Sequence, residues 1–192
     1  MFPLSLPNFL TVLRILLVPV VVVALLEETP NADTIAAIVF CAAALTDGLD
    51  GYIARSRGSV TNFGKLMDPI ADKLLIIAPL VSLVSLDRID AWVAMVIIAR
   101  EFAVTALRML AVEQGVVIPA SALGKAKTIT QVVAIFAVIA FQSTPWPVDL
   151  LVYVAVAVTV VSGADYFFGL RRRIEEARRD GRHASPRETA PS

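Results

Sequence analysis

The sequence predicts an all-α integral membrane protein with six transmembrane helices and with both termini in the cytoplasm. Three observations support this fold class. The 192-residue chain is 57% hydrophobic with a mean hydropathy of +0.76, far from an average soluble domain. About six apolar stretches are long enough to cross a bilayer as helices. Basic residues concentrate in alternate loops, which is typical of cytoplasmic loops.

The apolar stretches define the helices in chain order. Before the first of them, Met1–Pro7 is expected to form a short interfacial segment, and Asn8 is predicted to cap the helix. The fifth stretch is short by composition, so its helix is expected to begin earlier, near Gly124. The predicted spans are Asn8–Leu26, Asp33–Tyr52, Leu66–Leu86, Ile89–Val112, Thr128–Phe141 and Val148–Leu170.

Charge in the loops sets the orientation. The first and fifth loops hold no basic residue and the third holds only Arg88, so these loops are expected outside. Residues 1–170 form the predicted six-helix domain, and residues 171–192 form a cytoplasmic tail that begins as a helix and ends in disorder. The basic residues on the cytoplasmic side are Arg55, Arg57, Lys65, Lys125, Lys127 and seven tail arginines. The tail arginines are expected to meet anionic lipid headgroups, and a solvated tail without a function is the alternative.

Four aspartates interrupt the apolar sequence near the cytoplasmic boundary. Asp47 and Asp50 are three residues apart and Asp68 and Asp72 are four apart, so each pair lies within about 40–60° on one helix face. Ionised side chains at membrane depth cost several kcal/mol unless they are paired or bind metal. Carboxylates without His or Cys suit Mg²⁺ or Mn²⁺, and four are enough for two ions.

Small residues follow the same helical phase as the aspartates. Gly51 and Ala54 follow Asp47 by four and seven residues, and Gly64 precedes Asp68 by four. They leave room for a flat or bulky part of a substrate, and they also permit close helix packing. Each aspartate alone has simpler explanations: a helix cap, a helix start at Asp68 before Pro69, or an ion pair of Asp72 with Lys73.

The aspartates belong to a longer pattern that resembles the signature of the CDP-alcohol phosphotransferases. It reads Asp47-x-x-Asp50-Gly51-x-x-Ala54-Arg55, eight residues, then Gly64-x-x-x-Asp68-x-x-x-Asp72, with all eight specified positions filled. Three further segments are similar to the bacterial phosphatidylglycerophosphate synthases of that family. They are Leu6–Arg14, Leu66–Lys73 and Ile98–Glu101. The likeness covers nearly the whole membrane region and excludes the tail.

The resemblance implies a function. The phosphatidyl group of CDP-diacylglycerol would pass to sn-glycerol 3-phosphate, releasing CMP, at the cytoplasmic face of the bacterial inner membrane. A homodimer is implied, and no nucleic-acid partner is expected. The implied metal ligands are Asp47, Asp50, Asp68 and Asp72, and the implied CDP-binding residues are Asp47, Gly51, Ala54, Arg55 and Gly64. Asp72 is also the implied base; because metal binding lowers carboxylate basicity, ligand and base remain open alternatives for it.

Recognition of the acceptor phosphate requires cations away from the donor site, and Arg100, Arg108, Lys125 and Lys127 are the candidates. Arg100 and Arg108 are about 80° and ~12 Å apart on one helix. The alternatives are a buried ion pair of Arg100 with an aspartate or Glu101, a snorkelling Arg108, and lysines that only follow the positive-inside rule. We expect Arg14 to snorkel and Lys73 to brace a carboxylate.

Two other functions compete with the transferase acting on glycerol 3-phosphate. A cardiolipin synthase of the CDP-diacylglycerol type would share the metal site and use phosphatidylglycerol as acceptor. A cation transporter explains intramembrane carboxylates but not the glycines in phase with them. Cysteine and histidine chemistry is not expected, because Cys41 stands alone and His183, the one histidine, lies in the polar tail. Trp92 and Trp146 are predicted to anchor helices at the outer interface.

Overall fold

The computed structural model describes residues 6–27, 29–57, 62–113, 121–141 and 145–183. Within these ranges, the side chains of residues 6–7, 47–57, 62–63, 65–66 and 176–183 lie outside the description. The described chain is all-helical with short turns, which confirms the predicted class and the six helices. They are α1 (Leu6–Leu26), α2 (Ala32–Arg57), α3 (Asn62–Ser85), α4 (Ala91–Glu113), α5 (Ala122–Ala140) and α6 (Trp146–His183).

Length and composition identify a membrane protein. Three described segments are long and apolar enough to cross a bilayer: Asn8–Leu26, Ala122–Ala140 and Trp146–Glu175. The helix α4 has a similar length but includes Arg100, Glu101 and Arg108. Large apolar side chains are exposed on the outer faces of several helices, as lipid contact requires; examples are Leu16, Ile38, Met95, Ile129 and Phe168. Six spans with cytoplasmic termini stay a prediction.

Several helix ends differ from the predicted ones. Asn8 is not a cap, because α1 begins at Leu6 and Asn8 lies inside the first turn with 6% exposure. The helix can begin before Pro7 because proline is compatible with a first helical turn. The early start of α5 is confirmed, and the Ser121 hydroxyl caps it by accepting from Gly124 N at 3.1 Å. The helix α6 runs to His183 without a break at Leu170.

The helices that carry the signature are longer than predicted. The helix α2 continues to Arg57, so all the signature positions from Asp47 to Arg55 are helical. The helix α3 begins at Asn62 and runs through Pro69, which excludes a helix start at Asp68. The two aspartate pairs therefore lie near the end of one helix and the beginning of the next.

The core joins two groups of helices. One group packs α1 against α2 and α3, the other packs α6 against α4 and α5, and α5 contacts α2 and α3 between the groups. The burial of these apolar side chains fixes the rotation of each helix and therefore the direction in which its polar residues point. Fully buried members of the core include Val21, Phe40, Leu83, Val138 and Ile139.

An ion pair ties the connections at one end of the bundle. Arg88, in the turn between α3 and α4, donates from both terminal nitrogens to Asp33 at the start of α2, at 2.7 and 3.0 Å. In the same turn Asp87 adopts a left-handed conformation with φ 55°. Trp92 stacks on Tyr153 nearby, with ring centroids 6.1 Å apart. The signature aspartates lie at the opposite end of the bundle, which we call the carboxylate end.

Candidate functional site

The carboxylate end collects polar residues from several helices. The late turns of α2 carry Asp47, Asp50, Gly51, Ala54 and Arg55 on a continuous helix, and their side chains lie outside the described residues. The early turns of α3 carry Gly64, which is buried, together with Asp68 and Asp72. The structure thus describes half of the predicted carboxylate set in atomic detail.

The helix α1 supplies partners for both described aspartates. The Thr11 hydroxyl donates to Asp68 Oδ1 at 2.6 Å, and Arg14 Nη1 donates to Asp72 Oδ1 at 2.7 Å. Thr11 and Arg14 are three residues apart and Asp68 and Asp72 are four apart, so two helix faces meet in register. Each carboxylate is therefore oriented by a side chain on a neighbouring helix.

The expectation that Arg14 snorkels is wrong. Its side chain is fully buried, at 0% exposure, whereas that of Asp72 is 50% exposed. A buried guanidinium needs an anionic partner, and Asp72 provides it. Sequence reasoning also missed Thr11. The signal available was two polar residues one turn apart in an apolar helix, at a spacing that can match Asp68 and Asp72.

Lys73 does not brace a described carboxylate. Its Nζ atom donates to the carbonyl oxygen of Pro69 at 3.1 Å, in an exposed position, and it forms no ion pair among the described residues. Asp72 instead forms an ion pair with Arg14. The rotation of α3 about its axis turns Asp72 towards α1, which the sequence spacing of Asp72 and Lys73 does not reveal.

The donor atoms at the carboxylate end fit a hard divalent cation. Asp68 and Asp72 present carboxylate oxygens one helical turn apart, and half of the Asp72 side chain is exposed. Among the described side chains there is no group of three or more potential metal ligands. The other two predicted ligands, Asp47 and Asp50, have side chains outside that part of the chain. The full ligand set stays a prediction.

A second polar cluster connects α4, α5 and α6. Glu101 Oε1 accepts from Lys127 Nζ at 2.6 Å and from Arg100 Nη1 at 3.3 Å. Arg100 Nη2 donates to the hydroxyl of Ser162 at 2.7 Å. The side chains of Arg100, Glu101 and Lys127 are only 14%, 13% and 10% exposed. Two cations and one carboxylate give this buried cluster a net positive charge, which suits an anion.

The four predicted acceptor-site cations do not all gather. Arg100 and Lys127 share Glu101, so the alternative of a buried ion pair for Arg100 is also present in the structure. Arg108 is exposed and lies over the ring of Tyr166, with Cζ 5.8 Å from the centroid. Lys125 is exposed, and its side chain has no hydrogen bond or ion pair within the described part. The structure thus joins two of the four cations directly.

The helix α6 contributes residues that the sequence did not single out. Ser162 holds Arg100, and Gly163 allows the approach, because a Cβ atom there would lie 3.2 Å from Arg100 Cγ. Tyr166 follows one turn later beneath Arg108. The cluster lies near the signature helices, because α5, which carries Lys127, contacts both α2 and α3.

Comparison with known proteins identifies the family. Residues 4–161 match the model of the family described as CDP-alcohol phosphatidyltransferase. The chain belongs to this family. It is therefore an enzyme of the CDP-alcohol phosphotransferase type, a membrane-associated transferase of phospholipid biosynthesis. The resemblance noted in the eight-position signature is confirmed.

Curated relatives align over most of the chain. A CDP-diacylglycerol–glycerol-3-phosphate 3-phosphatidyltransferase of Bacillus subtilis is 44% identical over 180 residues, covering 85% of this chain and 93% of the relative. A probable phosphatidylglycerophosphate synthase of Mycobacterium tuberculosis is 42% identical, covering 84% and 79%. A CMP-forming cardiolipin synthase of Oryza sativa is 38% identical, covering 83% and 53%.

Proposed function

We propose that this enzyme transfers the phosphatidyl group of CDP-diacylglycerol to sn-glycerol 3-phosphate, giving phosphatidylglycerophosphate and CMP. The names of the bacterial relatives support these substrates. The observation that carries the proposal is the pairing of Thr11 with Asp68 and of Arg14 with Asp72. It orients two signature carboxylates at the same end of the bundle as a buried, net cationic cluster.

The donor site is proposed to lie between α2 and α3. Asp47, Asp50, Asp68 and Asp72 would hold one or two Mg²⁺ or Mn²⁺ ions, which when bound would neutralise the diphosphate and stabilise the CMP leaving group. Thr11 and Arg14 keep the α3 carboxylates in fixed orientations. The proposed CDP-binding residues are Asp47, Gly51, Ala54, Arg55 and Gly64. Of these, only Gly64 is among the residues whose burial the structure describes, and it is buried.

Asp72 is proposed to take the proton of the attacking glycerol hydroxyl. The hydroxyl oxygen forms a bond to the donor phosphorus, the bond from that phosphorus to CMP breaks, and the proton moves to the carboxylate. Exposure of half the Asp72 side chain supports this role, since a base must reach its substrate. Arg14 would hold the carboxylate in position through Oδ1.

The acceptor phosphate is proposed to bind at the cluster of Arg100, Glu101 and Lys127, with Arg108 at its exposed side. Glu101 keeps Arg100 and Lys127 close together in spite of their mutual repulsion. A phosphate dianion would be attracted by the remaining positive charge. Lys125 is proposed as a peripheral contributor, since its exposed position suits attraction of an anion to the site more than direct contact.

Position in the membrane completes the proposal. Six spans with cytoplasmic termini would place the carboxylate end at the cytoplasmic boundary, where a water-soluble acceptor and a lipid-bound donor can meet. Residues 1–170 would form the catalytic domain and residues 171–192 the cytoplasmic tail in contact with lipid headgroups. We propose the bacterial inner membrane as the location and a homodimer as the assembly.

The second candidate is a cardiolipin synthase that uses phosphatidylglycerol as acceptor. The relative from Oryza sativa supports it, although this chain covers only 53% of that protein, compared with 93% of the relative from Bacillus subtilis. Both functions use the same donor and the same carboxylates. The family assignment leaves the cation transporter without support.

The experiment is acceptor-dependent CMP release by the purified protein in detergent, with CDP-diacylglycerol and Mg²⁺ or Mn²⁺. Glycerol 3-phosphate, phosphatidylglycerol, inositol 1-phosphate and serine are compared. Release with glycerol 3-phosphate alone, abolished by Asp68→Asn or by a chelator, is the expected result. Asp149→Asn, an exposed aspartate in the first turn of α6, is the matched control. Release only with phosphatidylglycerol would overturn the acceptor assignment.

A further inference from the structure

Two buried hydrogen-bonding atoms near the second polar cluster have no partner within the described chain. They are Arg100 Nε and the hydroxyl oxygen of Tyr166. Leaving a buried donor unsatisfied costs about 1–3 kcal/mol, so such atoms are rare in native proteins and call for an explanation. Arg100 already uses Nη1 and Nη2 on Glu101 and Ser162, which leaves its Nε directed elsewhere.

The two atoms belong to the same interface between α4 and α6. Ser162 and Gly163 lie against the Arg100 side chain. Tyr166 lies four residues after Ser162 and three after Gly163, on the same face of α6. The ring of Tyr166 in turn lies under the guanidinium of Arg108. Tyr166 therefore contacts Arg108 and lies one helical turn along α6 from Ser162, which holds Arg100, and its hydroxyl is buried.

Packing explains the ring of Tyr166 but not its hydroxyl. The contact with Arg108 is made by the aromatic face, and phenylalanine would provide it without burying an unpaired oxygen. The other unpaired neutral group of the core, Gln131 Oε1, differs because it lies beside a cavity lined by apolar residues such as Leu80 and Ile97. Among the described side chains, Tyr166 combines a buried hydroxyl without a partner, a contact with Arg108 and a position one turn from the Ser162 that holds Arg100.

We propose that the Tyr166 hydroxyl binds the phosphate of the acceptor, donating a hydrogen bond to one of its oxygens beside Arg100 Nε. This inference rests on the proposed function and deepens it, because it names a neutral recognition group in the acceptor site. The phosphate satisfies both unpaired donors. Tyr166 is then a neutral binding residue on α6, whereas the candidates named from the sequence were all cations on α4 and α5.

The test is Tyr166→Phe, which removes one oxygen and keeps the ring. We expect the KM for sn-glycerol 3-phosphate to rise about tenfold or more, with the KM for CDP-diacylglycerol and kcat little changed. The dissociation constant of sn-glycerol 3-phosphate, measured by calorimetry in detergent, is expected to rise by the same factor. The melting temperature of the ligand-free protein should stay equal or increase, since the variant loses an unpaired buried oxygen.

The matched control is Tyr153→Phe on the same helix, where Tyr153 is exposed and stacks on Trp92 away from the carboxylate end. It should leave both KM values and the binding of glycerol 3-phosphate unchanged. Unchanged binding in Tyr166→Phe would overturn the inference, as would a fall in kcat alone, which would place the hydroxyl at the reacting end. Binding also decides the inference without turnover: a wild-type protein that binds sn-glycerol 3-phosphate but releases no CMP would refute only the proposed function, and one that does not bind it would refute both.

Discussion

At the scale of single residues, Arg14 has the most consequential environment. It is fully buried and donates to the half-exposed carboxylate of Asp72. Its residue type and position near the end of an apolar helix fit snorkelling equally well. The difference arises because α1 turns this face towards α3, where the carboxylate of Asp72 is available. Burying a guanidinium in the bundle costs much less when it is paired with an anion than when it is not.

Arg14→Met is expected to lower kcat for CMP release by about 10- to 100-fold, the effect of losing a charge-assisted hydrogen bond of roughly 1.5–3 kcal/mol. Asp72 would lose one contact that fixes its orientation. The kcat of Arg14→Lys should lie between those of Arg14→Met and the wild type, because an ammonium keeps the charge but lacks the planar fork of the guanidinium. Initial rates at saturating substrates provide the measurement.

The control for Arg14→Met is Arg171→Met, which removes an exposed pair with Glu175 on α6. Surface pairs of this kind contribute about 0–1 kcal/mol, so activity should be unchanged. Full activity of Arg14→Met would show that Asp72 does not depend on this contact for its position.

At the scale of elements, the approach of α4 to α6 depends on Gly163. A Cβ atom at this position would lie 3.2 Å from Arg100 Cγ and 3.7 Å from Arg100 Nε. The second glycine of α6, Gly169, has open space at the same point, with nothing within 4 Å. Two glycines six residues apart therefore differ in what a methyl group would meet.

Gly163→Ala is expected to displace the Arg100 side chain by a few tenths of an ångström and to raise the KM for glycerol 3-phosphate several-fold. Gly169→Ala should leave the KM unchanged and increase stability by up to about 1 kcal/mol, because alanine favours the helix. Steady-state kinetics and melting temperatures of both variants test this contrast. Equal KM values for the two variants would mean that Arg100 adapts without loss of binding.

The connections at the far end of the bundle depend on the ion pair of Asp33 with Arg88. Asp33→Asn is expected to lower stability by about 1.5–3 kcal/mol, because it leaves a mostly buried guanidinium without its anion. Asp149→Asn is the control, since Asp149 also lies in a first helical turn but is exposed. Thermal unfolding in detergent measures the difference. Both KM values should remain unchanged, and a large change in either would show coupling between the two ends.

At the scale of the whole molecule, the orientation in the membrane is open to a direct test. In a Cys41→Ser background, Thr29→Cys, in the connection between α1 and α2, should react with a membrane-impermeant thiol reagent on intact cells. Lys125→Cys at the carboxylate end should react only after permeabilisation. Both positions are exposed, so accessibility depends on the side of the membrane. The reverse pattern would contradict cytoplasmic termini.

The predictable part of this protein is local. An apolar composition and helix-length segments are properties of short stretches, and they were sufficient for the membrane class and the six helices. The family signature is also local, since it depends on residue types at fixed spacing over two consecutive helices. By the same reasoning the aspartates could be recognised as a group before any contact was known.

By itself, the sequence determined the class, the helices and the family, because spacing along one helix follows from its 3.6-residue period. Only the tertiary structure decided which polar residues meet across 26 to 62 positions, as Lys127 meets Glu101 and Arg100 meets Ser162. These pairings depend on the rotation of each helix about its axis. That rotation is set by the packing of the whole core, which no single segment of sequence contains.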